Sequence, residues 1–381
     1  MLELDKVSKL YRSGTFGGDF KPALRQVSFD IDRGEVVSLI GESGSGKSTL
    51  GKIVLHLVPA SGGRVSFEGA DVMQKKGREL HEYYRQVQGV FQDPFSSYNP
   101  LYKADRVFEM VRQEYFRDMA KDAWQAKVET ALETVTLNPA DVLNKFPHQL
   151  SGGQQQRLLV ARALLLDVRL LIADEIISML DASTRVDVLN MLVSLKRRGL
   201  GILFITHDLS LGNYISDKTV ILRHGAVVEM GETQKVFGNP QHRYTKSLLT
   251  AVPQLHKKWA PFDWSVNASA VPASNGSPTL APSTPPGAGQ PAEAKRYSKS
   301  SLSPLHGAKE EVGAARGTHA VRAGAVLAED APYGTRPSLM EMEGGRWQRR
   351  RRRATLTEVL AESAPPPLVE CEPGHLVAIE K

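Results

Sequence analysis

The sequence has little cysteine and no long hydrophobic run. A single cysteine, Cys371, among 381 residues excludes a disulfide framework within the chain and a metal site built from clustered cysteines. No stretch reaches the roughly 18 uninterrupted apolar residues that a membrane-spanning helix needs. The N-terminal residues alternate apolar and polar side chains and lack the apolar segment of a signal peptide. These absences predict a soluble protein, which would serve a membrane from outside the bilayer.

Basic residues exceed acidic ones, but the excess is concentrated at one place. The net charge is +6, and a run of five arginines at 349–353 accounts for most of it. The rest of the chain therefore offers no general basic face, and we expect no nucleic-acid partner. The arginine run is predicted to be a solvated charge run in a disordered tail, with binding to anionic lipid headgroups as the alternative.

Strand-like and helix-like segments alternate with short connections through residues 1–255. This pattern is typical of an α/β domain with a largely parallel sheet. A helical block at about 101–160 interrupts the alternation and is predicted to be an inserted subdomain. Residues 256–365 are rich in proline, alanine, serine and glycine and short of large apolar residues, which predicts a mostly disordered linker. Residues 366–381 form a separate short C-terminal motif.

A glycine-rich segment between an apolar strand at 36–40 and an amphipathic helix carries the first chemical signal. It satisfies the pattern G-x-x-x-x-G-K-[ST]. The backbone N–H groups of such a loop converge on phosphate oxygens, the lysine supplies a point charge, and the serine hydroxyl can bind Mg²⁺. A glycine- and serine-rich turn with a chance lysine is the alternative, which the strand–loop–helix setting disfavours. The residues predicted to bind nucleotide are Gly41, Glu42, Ser43, Gly44, Ser45, Gly46, Lys47, Ser48 and Thr49.

Two acidic residues end a second apolar run at 170–173. Asp174 is predicted to bind Mg²⁺, because a buried parallel strand delivers its terminal groups to the carboxyl edge of the sheet. Glu175 is expected to face the other way at the strand end and to act as general base on an attacking water. A solvated acid pair without a chemical role is the alternative for these two residues alone.

Four motifs occur in one order: the glycine-rich loop, "FPHQLSGGQQQR" at 146–157, "LIADE" at 171–175 and "ITHD" at 205–208. This set resembles the ATP-binding cassette (ABC) ATPases over about residues 1–255. The resemblance implies a P-loop NTPase fold with a mostly parallel core sheet, an antiparallel β subdomain and an inserted helical subdomain. It also implies ATP and Mg²⁺ as cofactors and ATP hydrolysis as the reaction. A small-molecule kinase would share the P-loop but would leave "LSGGQQQR" unexplained.

The resemblance implies that part of each nucleotide site comes from a neighbouring subunit. Two cassettes of this family pair head to tail, so Ser151, Gly152 and Gly153 would cover the γ-phosphate of ATP held by the second cassette. Asp181 would cross the same dimer interface. Whether the second cassette is identical or different stays open, and the resemblance favours a different one.

Further roles are implied within the chain's own site. Gln92 would reach toward Mg²⁺ and the attacking water, and His207 would contact the γ-phosphate. Tyr11 would stack on adenine, with a plain packing role as the alternative. Ile176 stands where the family usually has proline, which predicts a slightly looser loop after Glu175.

Two segments narrow the branch of the family. "FQDPFSSYNP" at 91–100 and "GNPQHRYTKSLLTAVP" at 238–253 resemble oligopeptide and dipeptide importer ATPases, as do the last residues of the chain. The resemblance implies two permease subunits and, indirectly, an extracytoplasmic solute-binding protein as partners, and a position at the cytoplasmic face of the membrane. Oligosaccharide and nickel remain alternative cargoes. Cys371 alone cannot hold the iron–sulfur cluster of some members. A non-transport ABC ATPase acting on DNA or ribosomes is the alternative function.

Overall fold

The computed structural model describes residues 1–12, 19–251, 340–343, 346–349 and 355–379. These residues belong to two units. One comprises the described residues up to 251 together with 355–379, and the other contains two antiparallel strands at 340–343 and 346–349. Among the described residues, no helix is both long and apolar enough to span a bilayer.

Strands and helices alternate through the first unit, as the sequence predicts. The strands are β1 (Leu2–Arg12), β2 (Phe20–Ile31), β3 (Val36–Ile40), β4 (Gly62–Phe67), β5 (Ala70–Asp71), β6 (Val87–Val90), β7 (Leu170–Asp174), β8 (Gly201–Thr206), β9 (Lys218–Arg223), β10 (Ala226–Glu232), β11 (Met340–Glu343), β12 (Arg346–Arg349), β13 (Leu368–Glu372) and β14 (His375–Ala378). The α-helices are α1 (Lys47–Val54), α2 (Gly77–Gln86), α3 (Arg106–Tyr115), α4 (Lys121–Thr134), α5 (Pro139–Val142), α6 (Gly152–Leu164), α7 (Ala182–Arg197), α8 (Leu209–Ile215), α9 (Thr233–Gly238), α10 (Arg243–Thr250) and α11 (Leu356–Glu362).

The central sheet has eight strands in the order β13-β14-β10-β9-β3-β8-β7-β6. The five strands from β9 to β6 are parallel, and the rest pair antiparallel. Every residue of β3, β7 and β8 is buried, because elements cover both faces of these strands, and this explains their continuous apolar sequences. The predicted mostly parallel core sheet is confirmed, and the carboxyl ends of β3, β7 and β8 meet at one edge.

A second sheet in the order β2-β1-β4-β5 is antiparallel throughout. Its inner face packs with α1 and part of the central sheet in one apolar cluster that includes Leu2, Phe29, Leu50 and Val65. This sheet is the antiparallel subdomain that the resemblance implied.

Helices α3 to α6 form the helical block. Phe108, Trp124 and Leu132 pack with Leu158 of α6 in an apolar cluster that continues to β8. The predicted insertion at 101–160 therefore corresponds to helices, and α6 carries the chain back to β7 in the central sheet.

The C-terminal segment 355–379 belongs to the first unit. Strand β14 pairs antiparallel with β10 and thereby extends the central sheet. The sequence predicts a disordered linker through 365, whereas helix α11 occupies 356–362 inside that range, so the folded segment starts earlier than expected. A capping box starts this helix, in which Thr355 and Glu358 bond each other's backbone N–H groups. Most of the predicted linker, and residues 350–353 of the arginine run, lie outside the described residues.

Candidate functional site

The P-loop joins β3 to α1 at the carboxyl edge of the central sheet. Gly46 is the N-cap of α1 with a φ of +108°, a backbone conformation that side-chain-bearing residues avoid. A Cβ atom at this position would also lie 2.4 Å from the carbonyl oxygen of Ala23. Only glycine therefore fits where the loop turns into the helix and its N–H groups become free for an anion.

Lys47 is almost fully buried, with 5% of its surface exposed. Its Nζ donates hydrogen bonds to the carbonyl oxygens of Gly41 at 2.7 Å and Glu42 at 2.8 Å. Burial lowers the pKa of Lys47, while the carboxylates of Glu175, Asp174 and Glu42 act in the opposite direction. The side chain is a desolvated cation that is held against the loop by neutral acceptors, so incoming phosphate oxygens would find it largely dehydrated.

Asp174 ends β7 with 7% of its surface exposed. Burial raises the pKa of its carboxyl group, a hydrogen bond from the Ser48 hydroxyl lowers it, and the nearby Glu175 raises it. Its Oδ1 atom is buried and has no hydrogen-bond partner among the described residues. An orphaned carboxylate oxygen beside a serine hydroxyl is a donor set that suits a hard divalent cation such as Mg²⁺.

Glu175 follows β7 in the left-handed backbone region with a φ of +52°. Its N–H donates to the carbonyl oxygen of Ile205 at 2.9 Å, and its carbonyl oxygen accepts from the Ser178 hydroxyl at 2.9 Å. Its Oε1 lies 3.2 Å from Nδ1 of His207, which follows the neighbouring strand β8. The turn therefore places the carboxylate and the imidazole side by side above the sheet edge.

The P-loop, Glu175 and His207 line one open cleft of about 680 Å³. Of the predicted site residues, the structure brings to it Gly41, Glu42, Ser43, Gly44, Gly46, Lys47, Ser48, Thr49, Gln92, Glu175 and His207. Asp174 lies beneath it, next to Ser48. Ser45 is buried and bonds the N–H of Gly225 through its carbonyl oxygen, so it supports the loop from below. Ala23, Ile40 and Leu248 also line the cleft, and they were not predicted because they carry no motif signal.

Besides Ser45 and Asp174, five predicted residues are absent from the lining of this cleft. Ser151 caps α6 through a capping box with Gln154, and Gly152 and Gly153 form the first turn of the same helix. Asp181 caps α7, and Tyr11 is the next-to-last residue of β1 with 43% of its surface exposed. The Lys9 ammonium group lies 5.1 Å from the centre of the Tyr11 ring. The starts of α6 and α7 therefore lie outside the lining of the cleft beside the P-loop.

The starts of α6 and α7 are packed closely together. A Cβ atom on Gly153 would lie 2.3 Å from Cγ2 of Thr184. Thr184 in turn donates its N–H and its hydroxyl to the Asp181 carboxylate, at 3.0 and 2.8 Å. Hydrogen bonds from Ser183 and Thr184 hold the pKa of Asp181 well below its usual range, so it stays charged. Ile176, which follows Glu175, is 1% exposed and belongs to the apolar core, so packing holds the loop in which proline is replaced.

This packing predicts opposite effects for two adjacent alanine variants. Gly153→Ala is expected to destabilise the fold by about 1–3 kcal/mol, because Thr184 must move out of the way. Gly152→Ala is the matched control, since a Cβ there would lie 3.8 Å from Leu180 and alanine favours the helix over glycine. Thermal unfolding should show a lower Tm for the first variant and an unchanged or higher Tm for the second. Equal shifts would contradict the close contact.

Comparison with known proteins gives a consistent result. Residues 24–178 match the family described as ABC transporter, and residues 228–278 match the oligopeptide/dipeptide transporter C-terminal region. The oligopeptide transport ATP-binding protein OppF of Streptococcus mutans is 38% identical over 280 residues, which cover 69% of this chain and 88% of that protein. OppF of Bacillus subtilis is 44% identical over 234 residues, covering 61% of this chain and 76% of that protein.

A solved structure and a further sequence relative agree with this result. A dimeric ATP-binding cassette in a post-hydrolysis state with ADP and Pi has 29% sequence identity and a TM-score of 0.55, and the alignment covers 61% of this chain and 99% of the cassette. A putative peptide import ATP-binding protein of Brucella ovis is 43% identical over 232 residues, 60% of this chain and 72% of that protein. The chain therefore belongs to the ABC transporter family, and it is one of the ATP-binding subunits that hydrolyse ATP in these transporters.

Proposed function

We propose that this chain energises the import of peptides through a separate permease. The observation that carries the proposal is the match of residues 228–278 to the oligopeptide/dipeptide transporter C-terminal region, a part of the chain outside the general cassette motifs. Relatives named for oligopeptide transport and peptide import support the same cargo. Oligosaccharide and nickel are the cargoes that the experiment below must separate from peptide.

For the nucleotide site we propose that residues 41–49 bind the phosphates of ATP and that Ser48, Gln92 and Asp174 hold Mg²⁺. The orphaned Oδ1 of Asp174 supports this ligand set. When bound, the ion would neutralise charge on the β- and γ-phosphates. Burial at Asp174 keeps the carboxyl group in a dry environment, in which a cation replaces the missing hydrogen bonds.

In the proposed reaction, the Glu175 carboxylate accepts a proton from a water molecule as the water oxygen bonds to the γ-phosphorus. The bond between that phosphorus and the β,γ-bridging oxygen breaks, and the products are ADP and phosphate. His207 lies 3.2 Å from the Glu175 carboxylate, and a ring N–H of the imidazole can donate a hydrogen bond to the γ-phosphate. Tyr11 is proposed to stack on adenine.

We further propose that Ser151, Gly152, Gly153 and Asp181 serve the site of a second ATPase subunit. Their absence from the lining of the chain's own cleft supports this arrangement, as does the dimeric state of a similar solved cassette. ATPase subunits of ABC transporters work with permease subunits. Two permeases and an extracytoplasmic solute-binding protein would complete the assembly, with this chain bound at the cytoplasmic face of the membrane.

Uptake of a labelled tripeptide by cells of the source organism that lack this chain tests the proposal. The wild-type chain is expected to restore uptake, and the Glu175→Gln variant is expected to fail because the permease would receive no energy. Labelled maltotriose and Ni²⁺ are measured in the same cells. Restored uptake of either of these with no change in peptide uptake would contradict the peptide assignment.

A further inference from the structure

A series of hydrogen bonds connects the C-terminal part of the cassette to the P-loop. The proposed reaction does not use these bonds. The first member of the series is Tyr244 on α10, with 6% of its surface exposed. The Tyr244 hydroxyl oxygen accepts a hydrogen bond from the backbone N–H of Glu42 at 3.1 Å. The carbonyl oxygen of the same peptide group, that of Gly41, accepts from Nζ of Lys47 at 2.7 Å. One peptide unit of the P-loop is therefore held at both edges by side chains.

A peptide group is planar, so the direction of its N–H fixes the direction of its C=O on the opposite edge. By holding the Glu42 N–H, Tyr244 therefore holds the Gly41 carbonyl in the direction that receives Lys47. If the hydroxyl were lost, this peptide could rotate, and the lysine would lose one of its two acceptors. The position of the phosphate-binding cation thus depends on a residue about 200 positions away in the sequence.

Both the ring and the backbone of Tyr244 make further contacts. The guanidinium group of Arg223 lies 4.9 Å from the centre of its ring. Its backbone N–H donates to Nδ1 of His242 at 3.1 Å, which caps the start of α10. The backbone N–H groups of Gln241 and His242 both donate to the carboxylate of Glu229, at 2.8 and 3.0 Å. The start of α10 is therefore anchored on one buried acidic side chain of β10.

The C-terminal segment supplies the remaining partner of that acid. His375 lies on β14, and its Nε2 is 2.8 Å from Oε1 of Glu229. Both side chains have no exposed surface. A buried carboxylate is stable only when hydrogen bonds and a compensating partner replace water. Without His375, Glu229 would keep two backbone donors but lose its side-chain partner, and we expect it to move toward water and release the start of α10.

We propose that Tyr244 is a positioning residue for the P-loop and that His375, through Glu229, keeps it in place, so that the C-terminal strand pair 368–378 sets the affinity for ATP. This inference rests on ATP binding at the P-loop but not on the nature of the cargo. It assigns a role in nucleotide binding to a segment that lies outside the cassette motifs.

The first test replaces Tyr244 by phenylalanine in the full-length chain and measures equilibrium binding of a fluorescent ATP analogue. Loss of the partly buried hydrogen bonding between the Tyr244 hydroxyl and Glu42 is expected to weaken binding about fivefold. At saturating ATP the hydrolysis rate should be unchanged, so KM rises and kcat does not. Tyr214→Phe is the matched control, because it also removes a hydroxyl that is hydrogen-bonded, to Asn190 at 3.0 Å, but at an exposed position. Binding of the Tyr244→Phe variant with wild-type affinity would overturn the proposal.

The second test asks whether His375 acts through Tyr244. His375→Leu, which cannot donate to Glu229, is expected to weaken ATP binding, and His375→Gln, which offers an amide donor, should retain it. In the Tyr244→Phe background His375→Leu should add nothing further, because the connection is already broken. Additive losses would show that His375 acts by another route and would overturn that half of the proposal. If His375→Leu does not fold, ATP binding by the Tyr244→Phe variant still tests the positioning role of Tyr244.

The wild-type chain and the Lys47→Ala variant distinguish a failure of this proposal from a failure of the proposed nucleotide site. A wild-type chain that binds no ATP analogue would contradict the proposed nucleotide site itself. A wild-type chain that binds, with loss of binding in Lys47→Ala and none in Tyr244→Phe, would contradict only the positioning role.

Discussion

Replacement of Glu175 by glutamine is expected to lower ATP hydrolysis by roughly 10²- to 10⁴-fold, the contribution of a well-placed general base. Glutamine has the same shape as glutamate but cannot accept a proton from the attacking water. The backbone at this position has a φ of +52°, and its N–H and C=O groups are bonded to Ile205 and Ser178. These bonds do not involve the side chain, so the turn should survive the substitution. The variant should therefore lose the chemical step and keep the fold.

ATP binding is expected to persist in this variant. Lys47, Ser48 and Asp174 are unaltered, and the loss of one negative charge from the cleft favours an anionic ligand. Because ATP binds and is not consumed, the proposed dimer should accumulate in its closed form. Size-exclusion chromatography with Mg-ATP, on this chain together with its second ATPase subunit, should then show more dimer for the variant than for the wild type.

Phosphate release at saturating ATP is the measurement of turnover. Glu133→Gln, at an exposed position on α4, is the matched control and should hydrolyse ATP at the wild-type rate. A Glu175→Gln variant with wild-type turnover would remove Glu175 from the mechanism. In that case a different group must take the proton, and His207, 3.2 Å away, would be the next residue to replace.

The fold and the cleft beside the P-loop could be predicted because their signals are local. The apolar run 36–40, the glycine-rich loop and the helix that begins at Lys47 are contiguous, and each has a strong preference for the structure that it adopts. The acidic residues could be placed for a similar reason, since β7 is buried on both faces and ends at Asp174. The backbone turn at Glu175 had no signal in the sequence, because glutamate rarely adopts a positive φ.

The contacts made by the C-terminal part of the chain could not be predicted in the same way. The bond between Glu42 and Tyr244 joins residues 202 positions apart, and no local pattern in "HRYTKSLL" marks a hydroxyl aimed at the P-loop. Helix α11 did carry a local signal, the capping box of Thr355 and Glu358. The low-complexity composition of the long preceding segment outweighed that signal, because a composition averaged over many residues conceals a helix of seven.

Loss of the Lys47 side chain is expected to abolish ATP binding at the concentrations at which the wild type is saturated. Among the described residues that line the cleft, Lys47 is the fixed cation, and it faces the carboxylates of Glu175, Asp174 and Glu42. In Lys47→Ala these acids would give the cleft a negative potential that repels the phosphates of ATP. The charge-assisted hydrogen bond that the remaining N–H of the ammonium group can donate to phosphate, at about 1.5–3 kcal/mol, would also be lost. Together these terms predict a Kd that is higher by at least roughly 100-fold.

Binding of a fluorescent ATP analogue to the full-length chain measures this loss directly. Lys52→Ala is the matched control, because Lys52 lies on the same helix, is exposed and does not line the cleft. That variant should bind the analogue as the wild type does, which separates loss of a specific cation from a general change in charge. Lys47→Arg should fail as well, since a planar guanidinium group cannot enter a position where the ammonium group lies 2.7 and 2.8 Å from two carbonyl oxygens. Equal affinity in Lys47→Ala and Lys52→Ala would contradict the proposed phosphate site, because no other cation in the described lining could replace Lys47.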